Sequence, residues 1–279
     1  MSKIKVITDS TSDLPKGVAE KYDIEVLPLT IFFDEDEYRD WIDIAPKAFY
    51  ERMRKAEKLP TTSQVNPNSF KEKYEQFLQN YDHIISLHLS SDASGTYNSA
   101  VIARDMVDKD RITVIDTRNY TYGFGQMVVE AARMAQGGKS VDEVVDRINY
   151  LISNVKTLFV VDTLEYLKKG GRLSATKATI GTLLNLKPIL TVEDGKIVAI
   201  DKARGMKKAL RRIVELMQEQ GVDLKSQTIK VGHADNIEHL KDFESAIEEA
   251  YGYVEKEEFE IGCVIGVYCG PGTVVIHYI

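Results

Sequence analysis

The sequence predicts an α/β protein of two domains, an N-terminal α/β/α domain with a parallel sheet and a C-terminal α/β domain with a mixed sheet. Strand and helix patterns alternate through the first half, which is typical of parallel strands joined by helices. In the second half, Asp194-Gly195 separates two apolar runs, and this pair is a common β-hairpin turn. With 279 residues, the chain is long enough to bury two cores.

The first domain takes residues 1–156, and its elements follow from hydrophobic periodicity and helix-start signals. Pro15 and the pair Asn66-Pro67 each lie near the start of a predicted helix, where proline is favourable. In chain order, we expect strand 4–7, helix 15–22, strand 25–33, helix 44–55, helix 66–81, strand 84–89, helix 96–107, strand 112–115, helix 122–135 and helix 141–153.

The second domain takes residues 157–279 and interrupts the alternation with the hairpin, which indicates a mixed sheet. We expect strand 158–161, helix 179–184, hairpin 190–200, helix 206–218, strand 229–232, helix 237–250, strand 253–259 and strand 273–279. Several apolar side chains of this half fit an ordinary core or the wall of a ligand site: Ile180, Leu183, Leu184, Leu186, Ile189 and Leu190.

Composition argues against several classes of function. The net charge of −7 does not favour binding to nucleic acid or to an anionic membrane. No apolar run approaches the roughly 20 residues of a membrane span, so we expect no stable membrane insertion. The first residues lack a secretory signal, and the two cysteines do not indicate a disulfide framework. We therefore expect a cytoplasmic protein.

Small hydroxyl residues and a glycine stand between a predicted strand and a predicted helix, within residues 90–100. Unpaired N–H groups and the helix dipole favour an anion at such a helix start. Gly95 permits close approach to the backbone, while Ser94 and Thr96 add hydroxyl donors. An ordinary Ser/Thr helix cap explains the same run, so the pattern alone leaves both interpretations open.

Sequence motifs for metal and nucleophilic chemistry are missing. The histidines lack the spacing of a zinc helix, and neither a Gly-x-Ser-x-Gly elbow nor a P-loop occurs. Hydroxyls without a base are good donors and poor nucleophiles, so we expect a binding protein with no catalytic residue, metal or cofactor. Asp13 is expected to cap a helix beginning at Leu14, and His233 is typical of a structural or solvated side chain.

Five segments in a fixed order carry a resemblance to a known family. They are 8–14 (TDSTSDL), 60–64 (PTTSQ), 159–174 (FVVDTLEYLKKGGRLS), 186–190 (LKPIL) and 262–272 (GCVIGVYCGPG). In this order they resemble the DegV family, the fatty-acid-binding subunits of bacterial fatty acid kinase. The resemblance covers essentially the whole chain.

The resemblance implies a DegV-like fold that holds a long-chain fatty acid between the two domains. Thr62 and Ser94 match the hydroxyls that hold the carboxylate, and Arg172 suits a carboxylate or an incoming phosphate. The ligand-binding residues implied in this way are Thr62, Ser94, Gly95, Thr96, Arg172 and Tyr268, with Asp9, Ser10 and Ser63 as further candidates in loops.

The chain departs from the family pattern at two adjacent positions. Where the family usually has a histidine before Gly-Pro-Gly, this chain has Tyr268, and Cys269 replaces a common threonine. A phenol with a pKa of about 10 stays neutral at physiological pH, so Tyr268 is expected to donate a hydrogen bond without carrying charge. Cys269 is expected to be a small buried side chain rather than a reactive thiol.

By this resemblance, the protein presents the carboxylate to a separate ATP-dependent fatty acid kinase subunit, which makes acyl phosphate for phospholipid metabolism. Each buried CH₂ contributes about 0.8 kcal/mol, so roughly 15 contribute roughly 12 kcal/mol as an upper bound, against about 1 kcal/mol per hydroxyl hydrogen bond. The tail is therefore expected to set affinity, and the head-group residues orientation.

Two alternatives stay open on the sequence. One is a stand-alone hydrolase or transferase acting on a small carboxylate or phosphate near Asp9 and His233. The other is a regulatory or transport protein that binds a different lipid.

Overall fold

The computed structural model describes residues 3–15, 17–174 and 186–279 and has the predicted α/β architecture. The elements up to residue 154 are β1 (Ile4–Asp9), α1 (Val18–Lys21), β2 (Ile24–Leu27), β3 (Thr30–Phe33), β4 (Asp36–Arg39), α2 (Pro46–Met53), β5 (Thr61–Ser63), α3 (Pro67–Phe77), β6 (His83–His88), α4 (Thr96–Val107), β7 (Ile112–Asp116), α5 (Thr121–Gln136) and α6 (Val141–Asn154).

A parallel sheet in the order β2-β1-β6-β7 forms the centre of the first domain. Because side chains alternate along a strand, Ile84 packs on the side of α3 and α4, and Ile85 on the side of α5 and α6. Ser140 caps α6, accepting a hydrogen bond from the Glu143 N–H. The predicted α/β/α layers are therefore present.

The remaining elements build a second, mixed sheet and the helices around it. They are β8 (Lys156–Val160), α7 (Glu165–Lys169), β9 (Leu186–Glu193), β10 (Lys196–Arg204), α8 (Met206–Glu219), β11 (Ile229–His233), α9 (Ile237–Tyr251), β12 (Lys256–Glu260), α10 (Cys263–Cys269) and β13 (Val274–Tyr278).

The mixed sheet has the order β10-β9-β8-β13-β11-β12, and only its β11–β12 pair is parallel. Asp194 and Gly195 form the predicted hairpin turn, with φ of 48° and 76°, as a type I′ turn requires. One face of the sheet packs against α8 and α9. The other face, which includes Phe159 and Val275, joins the core that reaches into the first domain.

Two predictions near the N-terminus were wrong. Residues 25–33 form two strands, β2 and β3, that belong to different sheets, because Pro28 cannot donate to a strand ladder. The helix predicted over 15–22 is restricted to α1, and Asp13 does not cap it. Gly17, with φ of 81°, precedes α1, while Asp13 has φ of 45° and ends a short 3₁₀ turn formed by residues 10–12.

The structure also contains a small antiparallel sheet, β4-β3-β5, and helix α10 contacts its strands β3 and β5. Neither α10 nor this sheet was predicted from the sequence. The sequence predicted a helix over 179–184, which lies outside the described residues. Helix α6 ends at Asn154 and β8 begins at Lys156, so the division that we propose, into domains 1–156 and 157–279, falls at the first residue of β8.

Candidate ligand-binding site

A cavity of about 300 Å³ lies between the mixed sheet and the first domain. One wall is the sheet face that α8 and α9 leave open. Thr157 and Phe159 of β8 line it, with Val275 of β13 directly opposite Phe159 in the register. Val192 and Ile197 extend this wall onto the β9–β10 hairpin. The wall is apolar because the sheet has a second hydrophobic face to cover.

The opposite wall comes from the first domain and from α10. Leu29 follows β2, Leu89 and Ala93 follow β6, and Val264 and Ile265 lie on α10. These side chains place hydrocarbon on both sides of the cavity. The chemistry of most of its length is therefore that of an apolar slot.

Five of the predicted residues meet at one end of this cavity, which we call the polar end: Thr62, Ser94, Gly95, Arg172 and Tyr268. The Thr62 and Tyr268 hydroxyls share a hydrogen bond of 2.6 Å. Since one hydroxyl donates to the other, one hydroxyl hydrogen of this pair stays available for a ligand. Ser63 also lines the cavity.

Arg172 contacts three different segments at the polar end. Its guanidinium lies 4.4 Å above the centre of the Tyr268 ring, an attractive cation–π arrangement. Its Nε donates to the Ala93 carbonyl at 3.1 Å and an Nη donates to the Gly170 carbonyl at 2.5 Å. These two bonds use two of five N–H donors, so the side chain keeps donors and a positive charge for an anion.

Ser94 and Gly95 lie where α4 begins, at the carboxyl edge of the parallel sheet. The Ser94 hydroxyl accepts from the Thr96 N–H at 3.2 Å, but the N-cap residue of α4 is Gly95, which makes no side-chain cap bond. The Ser/Thr-cap interpretation of this run is therefore wrong, and the ligand interpretation stays a prediction. The Thr96 side chain is buried against Ser94, with 3.0 Å between their hydroxyl oxygens. Thr96 therefore does not line the cavity and supports Ser94 instead.

Hydroxyl groups farther along the cavity already have partners in the protein. Tyr120 donates to the Gly195 carbonyl at 2.7 Å, and Thr273 donates to the carbonyls of Cys269 and Gly270. Thr157 donates to the Asn119 amide oxygen at 3.2 Å. Satisfied hydroxyls offer little to a polar ligand, so they do not interrupt the apolar slot.

Asp9 and Ser10, the further candidates at the end of β1, do not reach the cavity. Asp9 is fully buried and accepts from the Thr11 N–H and hydroxyl, while its second oxygen faces His88 Nδ1 at 2.9 Å. Ser10 donates to the buried carboxyl of Asp40 at 2.8 Å. Internal hydrogen bonds therefore occupy both side chains.

Asp9 belongs to what we call the buried network, formed by Asp9, Thr11, Tyr74, Ser86 and His88. Ser86 Oγ lies 2.7 Å from His88 Nε2, and Tyr74 donates to Ser86 at 2.9 Å. The order Ser–His–Asp is that of a hydrolase triad. All five side chains are buried, however, and Ser86 lies inside the parallel sheet, so a substrate has no access to it.

Two further acidic groups, Asp13 and Asp40, are buried near the start of α10. Burial raises the pKa of Asp40 to about 7, although Ser10 and the Cys263 N–H donate to its carboxyl. Burial and the neighbouring Asp40 also raise the pKa of Asp13 well above its usual range. The contact between Asp40 and Cys263 fixes the helix that carries Tyr268.

The cysteines and His233 play no visible part at the polar end. Cys269 lines the cavity, yet burial raises the pKa of its thiol to about 12, as expected for an inert packing residue. The His233 ring accepts from the Asn236 N–H at 3.2 Å, and burial lowers its pKa. The His233 ring is therefore neutral, has a hydrogen-bond partner and lies away from the cavity.

Sequence reasoning missed several lining residues. Gln64 stood within the segment 60–64 without an assigned role, and it lines the cavity beside Ser94. Tyr120 and the hairpin residues Val192 and Ile197 gave no local signal, because their contacts join segments far apart in the chain. Ile189 and Leu190, in contrast, are core residues.

Within the described ranges, no helix is both long and apolar enough to cross a bilayer. No group of three or more histidine, cysteine or acidic side chains is placed to hold a metal ion in this part of the chain.

The chain is a two-domain α/β protein with an apolar slot that ends in hydrogen-bond donors. The chain belongs to the DegV family: a family model described as "Uncharacterised protein, DegV family" matches residues 3–279. A DegV domain-containing protein of Caldanaerobacter subterraneus subsp. tengcongensis is 44% identical over 278 residues, which cover 100% of this chain and 99% of that protein.

Two solved structures of the same fold carry the ligand in their descriptions. A DegV family protein from Thermus thermophilus, described by its fatty acid binding, has a TM-score of 0.90 and 34% identity, with 99% of each chain covered. DegV from Bacillus subtilis, described as a fatty acid binding protein, has a TM-score of 0.88 and 36% identity, again with 99% of each chain covered.

Proposed function

We propose that this protein binds a long-chain fatty acid in the cavity and presents its carboxylate to a separate ATP-dependent kinase subunit. The carboxylate lies at the polar end, held by Thr62, Ser94, the backbone at Gly95, Arg172 and Tyr268. The kinase converts it to acyl phosphate in the cytoplasm, for phospholipid metabolism. The relatives described as fatty-acid-binding proteins support the ligand, and the family resemblance suggests the kinase.

The observation that carries this proposal is the distribution of polarity along one cavity. The described lining residues include Arg172 and several hydroxyl donors at one end but no aspartate or glutamate. An anion there meets positive charge and hydrogen-bond donors without a competing carboxylate. The remaining walls are mostly hydrocarbon, and the hydroxyls of Tyr120, Thr157 and Thr273 there already have partners in the protein, which matches an acyl chain.

Affinity and orientation come from different parts of the ligand. Each CH₂ buried in the slot contributes about 0.8 kcal/mol, so the tail dominates binding. A hydrogen bond to a charged group contributes about 1.5–3 kcal/mol, enough to fix which end of the ligand meets Thr62 and Tyr268. A carboxylate held in one place is what a partner kinase needs for in-line attack on ATP.

The protein itself performs no phosphoryl transfer in this proposal. Among the residues that the structure describes, the hydroxyls of the polar end have no adjacent imidazole or carboxylate to act as a base, which leaves them donors. The buried network has the residues of a triad, but its serine is inaccessible to a substrate. We therefore favour binding over a stand-alone hydrolase or transferase.

Native mass spectrometry of purified, delipidated protein tests the ligand. We expect one equivalent of an added long-chain fatty acid to bind, and we expect no binding of a short-chain acid such as butyrate. Protein that takes up no long-chain fatty acid would rule the proposal out, and turnover of esters or phosphates without a partner would favour the enzyme alternative.

Reconstitution with a fatty acid kinase subunit and ATP tests the partner. The double variant Thr62→Ala with Ser94→Ala is expected to keep the tail-driven binding while acyl-phosphate production falls, because the carboxylate loses two fixing contacts. Unchanged production in the double variant would refute the roles of these hydroxyls.

A further inference from the structure

Gln64 lies at the polar end, in a position that the family resemblance did not interpret. It follows β5 and is two residues beyond Thr62, the spacing that places side chains on one side of an extended chain. Strand β5 is fixed by its pairing with β3, which sets Thr62 opposite the buried Ile31. Both Thr62 and Gln64 line the cavity.

A hydrogen bond to the start of α4 fixes the orientation of the Gln64 amide. Its Nε2 donates to the Ser99 hydroxyl at 2.9 Å, and Ser99 is buried in the first turn of the helix. Its amide oxygen lies against Gly95, so closely that a Cβ on residue 95 would collide with it. In this orientation the acceptor atom of Gln64 is directed at the polar end.

A carboxylate at the polar end would meet that oxygen unfavourably, since both atoms are acceptors. Turning the amide by half a turn about its last side-chain bond exchanges the oxygen and the NH₂ group without moving the backbone. Ser99 tolerates the exchange, because a hydroxyl both accepts and donates. After the turn, Ser99 donates to the amide oxygen and Nε2 faces the ligand.

We propose that Gln64 is a ligand-binding residue whose amide inverts when a carboxylate enters, so that Nε2 donates to the anion while Ser99 donates to Oε1. This inference rests on the proposed fatty-acid function and adds a neutral donor to that site. Gln64 then binds an anionic head group through Nε2 and a neutral alcohol through Oε1, with Ser99 as the switchable partner.

The variant Gln64→Glu tests this role with little change in shape. Ser99 donates to the new carboxylate, but the ionised side chain offers no donor and repels the carboxylate of a ligand. At pH 8 we expect the affinity for palmitic acid to fall at least tenfold, while that for hexadecanol, which has the same chain length, changes less than about threefold. Retained hexadecanol binding shows that the variant is folded and that its cavity is intact.

Two companion measurements sharpen the test. Gln64→Met removes the donor without adding charge, and its loss for palmitic acid should be smaller than that of Gln64→Glu. In wild-type protein, the ¹⁵N–¹H signals of the Gln64 side chain should shift differently on adding palmitic acid and on adding hexadecanol.

Several results would overturn the role of Gln64. Equal losses for acid and alcohol in Gln64→Glu indicate a structural role, and unchanged affinity for the acid indicates no contact. If wild-type protein binds neither ligand, the proposed function fails and this inference fails with it. If wild-type protein binds palmitic acid and Gln64→Glu binds it equally well, only the inference about Gln64 fails.

Discussion

Two clusters of hydroxyl side chains lie at the carboxyl edge of the parallel sheet, and they differ in whether their hydrogen bonds are complete. In the buried network, Asp9, Ser86 and His88 satisfy one another and are sealed from solvent. At the polar end, Arg172 and the Thr62–Tyr268 pair keep donors beyond their internal bonds. Complete hydrogen bonding identifies the structural cluster, and unused donors identify the proposed binding site.

The stability of the protein is expected to depend on pH through Asp40, whose carboxyl accepts a hydrogen bond from Ser10 beside the buried network. Burial raises the pKa of Asp40 to about 7 in the folded protein, so the folded state holds a proton that the unfolded state has released above about pH 4. Stability is therefore expected to be highest below pH 4 for this group and to fall between pH 4 and 7, with a slope of up to about 1.4 kcal/mol per pH unit.

Urea denaturation of wild type and Asp40→Asn across this pH range measures the effect. The asparagine keeps a carbonyl acceptor for the Cys263 N–H and cannot ionise, so the slope should shrink. Asp13 contributes in the same direction, and some slope should remain. A slope that is identical in both proteins would contradict the assignment to Asp40.

Breaking the buried network itself should cost stability rather than binding specificity. Asp9→Ala removes the acceptor of Thr11 and His88, and orphaned buried groups cost about 3 kcal/mol in sum. The midpoint of urea denaturation should fall accordingly. Asp105→Ala, at an exposed ion pair on α4, is the matched control and should change stability by less than about 0.5 kcal/mol.

Removing the positive charge of Arg172 should weaken ligand binding rather than stability, the reverse of what is expected for Asp9→Ala. Arg172→Leu is expected to weaken binding of a long-chain fatty acid by about 1.5–3 kcal/mol, the range for a hydrogen bond to a charged group. Titration calorimetry gives this directly. Lys168→Leu removes a nearby exposed charge outside the cavity and should leave affinity within about twofold, so similar losses in both variants would indicate a general charge effect.

Filling part of the apolar slot should change the preference for ligand chain length without changing the contacts of the head group. Ile197→Trp places bulk on the hairpin wall, and each CH₂ excluded from the slot costs about 0.8 kcal/mol, about fourfold in affinity. Palmitic acid should lose more affinity than decanoic acid. Ile200→Trp, at an exposed position of β10, should leave the preference unchanged.

The smallest effect is expected where a hydroxyl has a substitute. Tyr120→Phe removes one donor to the Gly195 carbonyl, but Ser90 donates to the same atom at 2.8 Å. The loss in stability should be about 1 kcal/mol or less. Ligand affinity should not change, and a large loss of affinity would show that the Tyr120 hydroxyl contacts the ligand.

The sequence predicted the layers of the fold and the run Ser94-Gly95, because strand–helix alternation and helix-start signals are local. The polar-end residues Thr62, Arg172 and Tyr268 were implied only by the resemblance to the DegV family. The sequence prediction failed at Pro28, which splits one expected strand between two sheets, and at α10, whose Gly266 packs against the rings of Phe49 and Tyr50. That close approach excludes a side chain at residue 266, so tertiary packing outweighs the weak helix propensity of the segment.

The difference between local sequence signals and tertiary contacts also explains which site residues could be predicted. Asp9 has the sequence context of a ligand-binding loop, and only the fold shows that His88, 79 positions away, takes up its carboxylate. Gln64 has no distinctive local context, and its proposed role depends on the approach of Gly95 and Ser99 from α4. Contacts between distant segments decide which polar side chains keep free donors.

A crystal structure of the protein with palmitic acid tests the central claim most directly. We predict one acyl chain between the mixed sheet and the first domain, with its carboxylate within hydrogen-bond distance of Thr62 and Ser94 and near the Arg172 guanidinium. A carboxylate at the Thr157 end of the cavity, or an acyl chain bound elsewhere on the molecule, would contradict it.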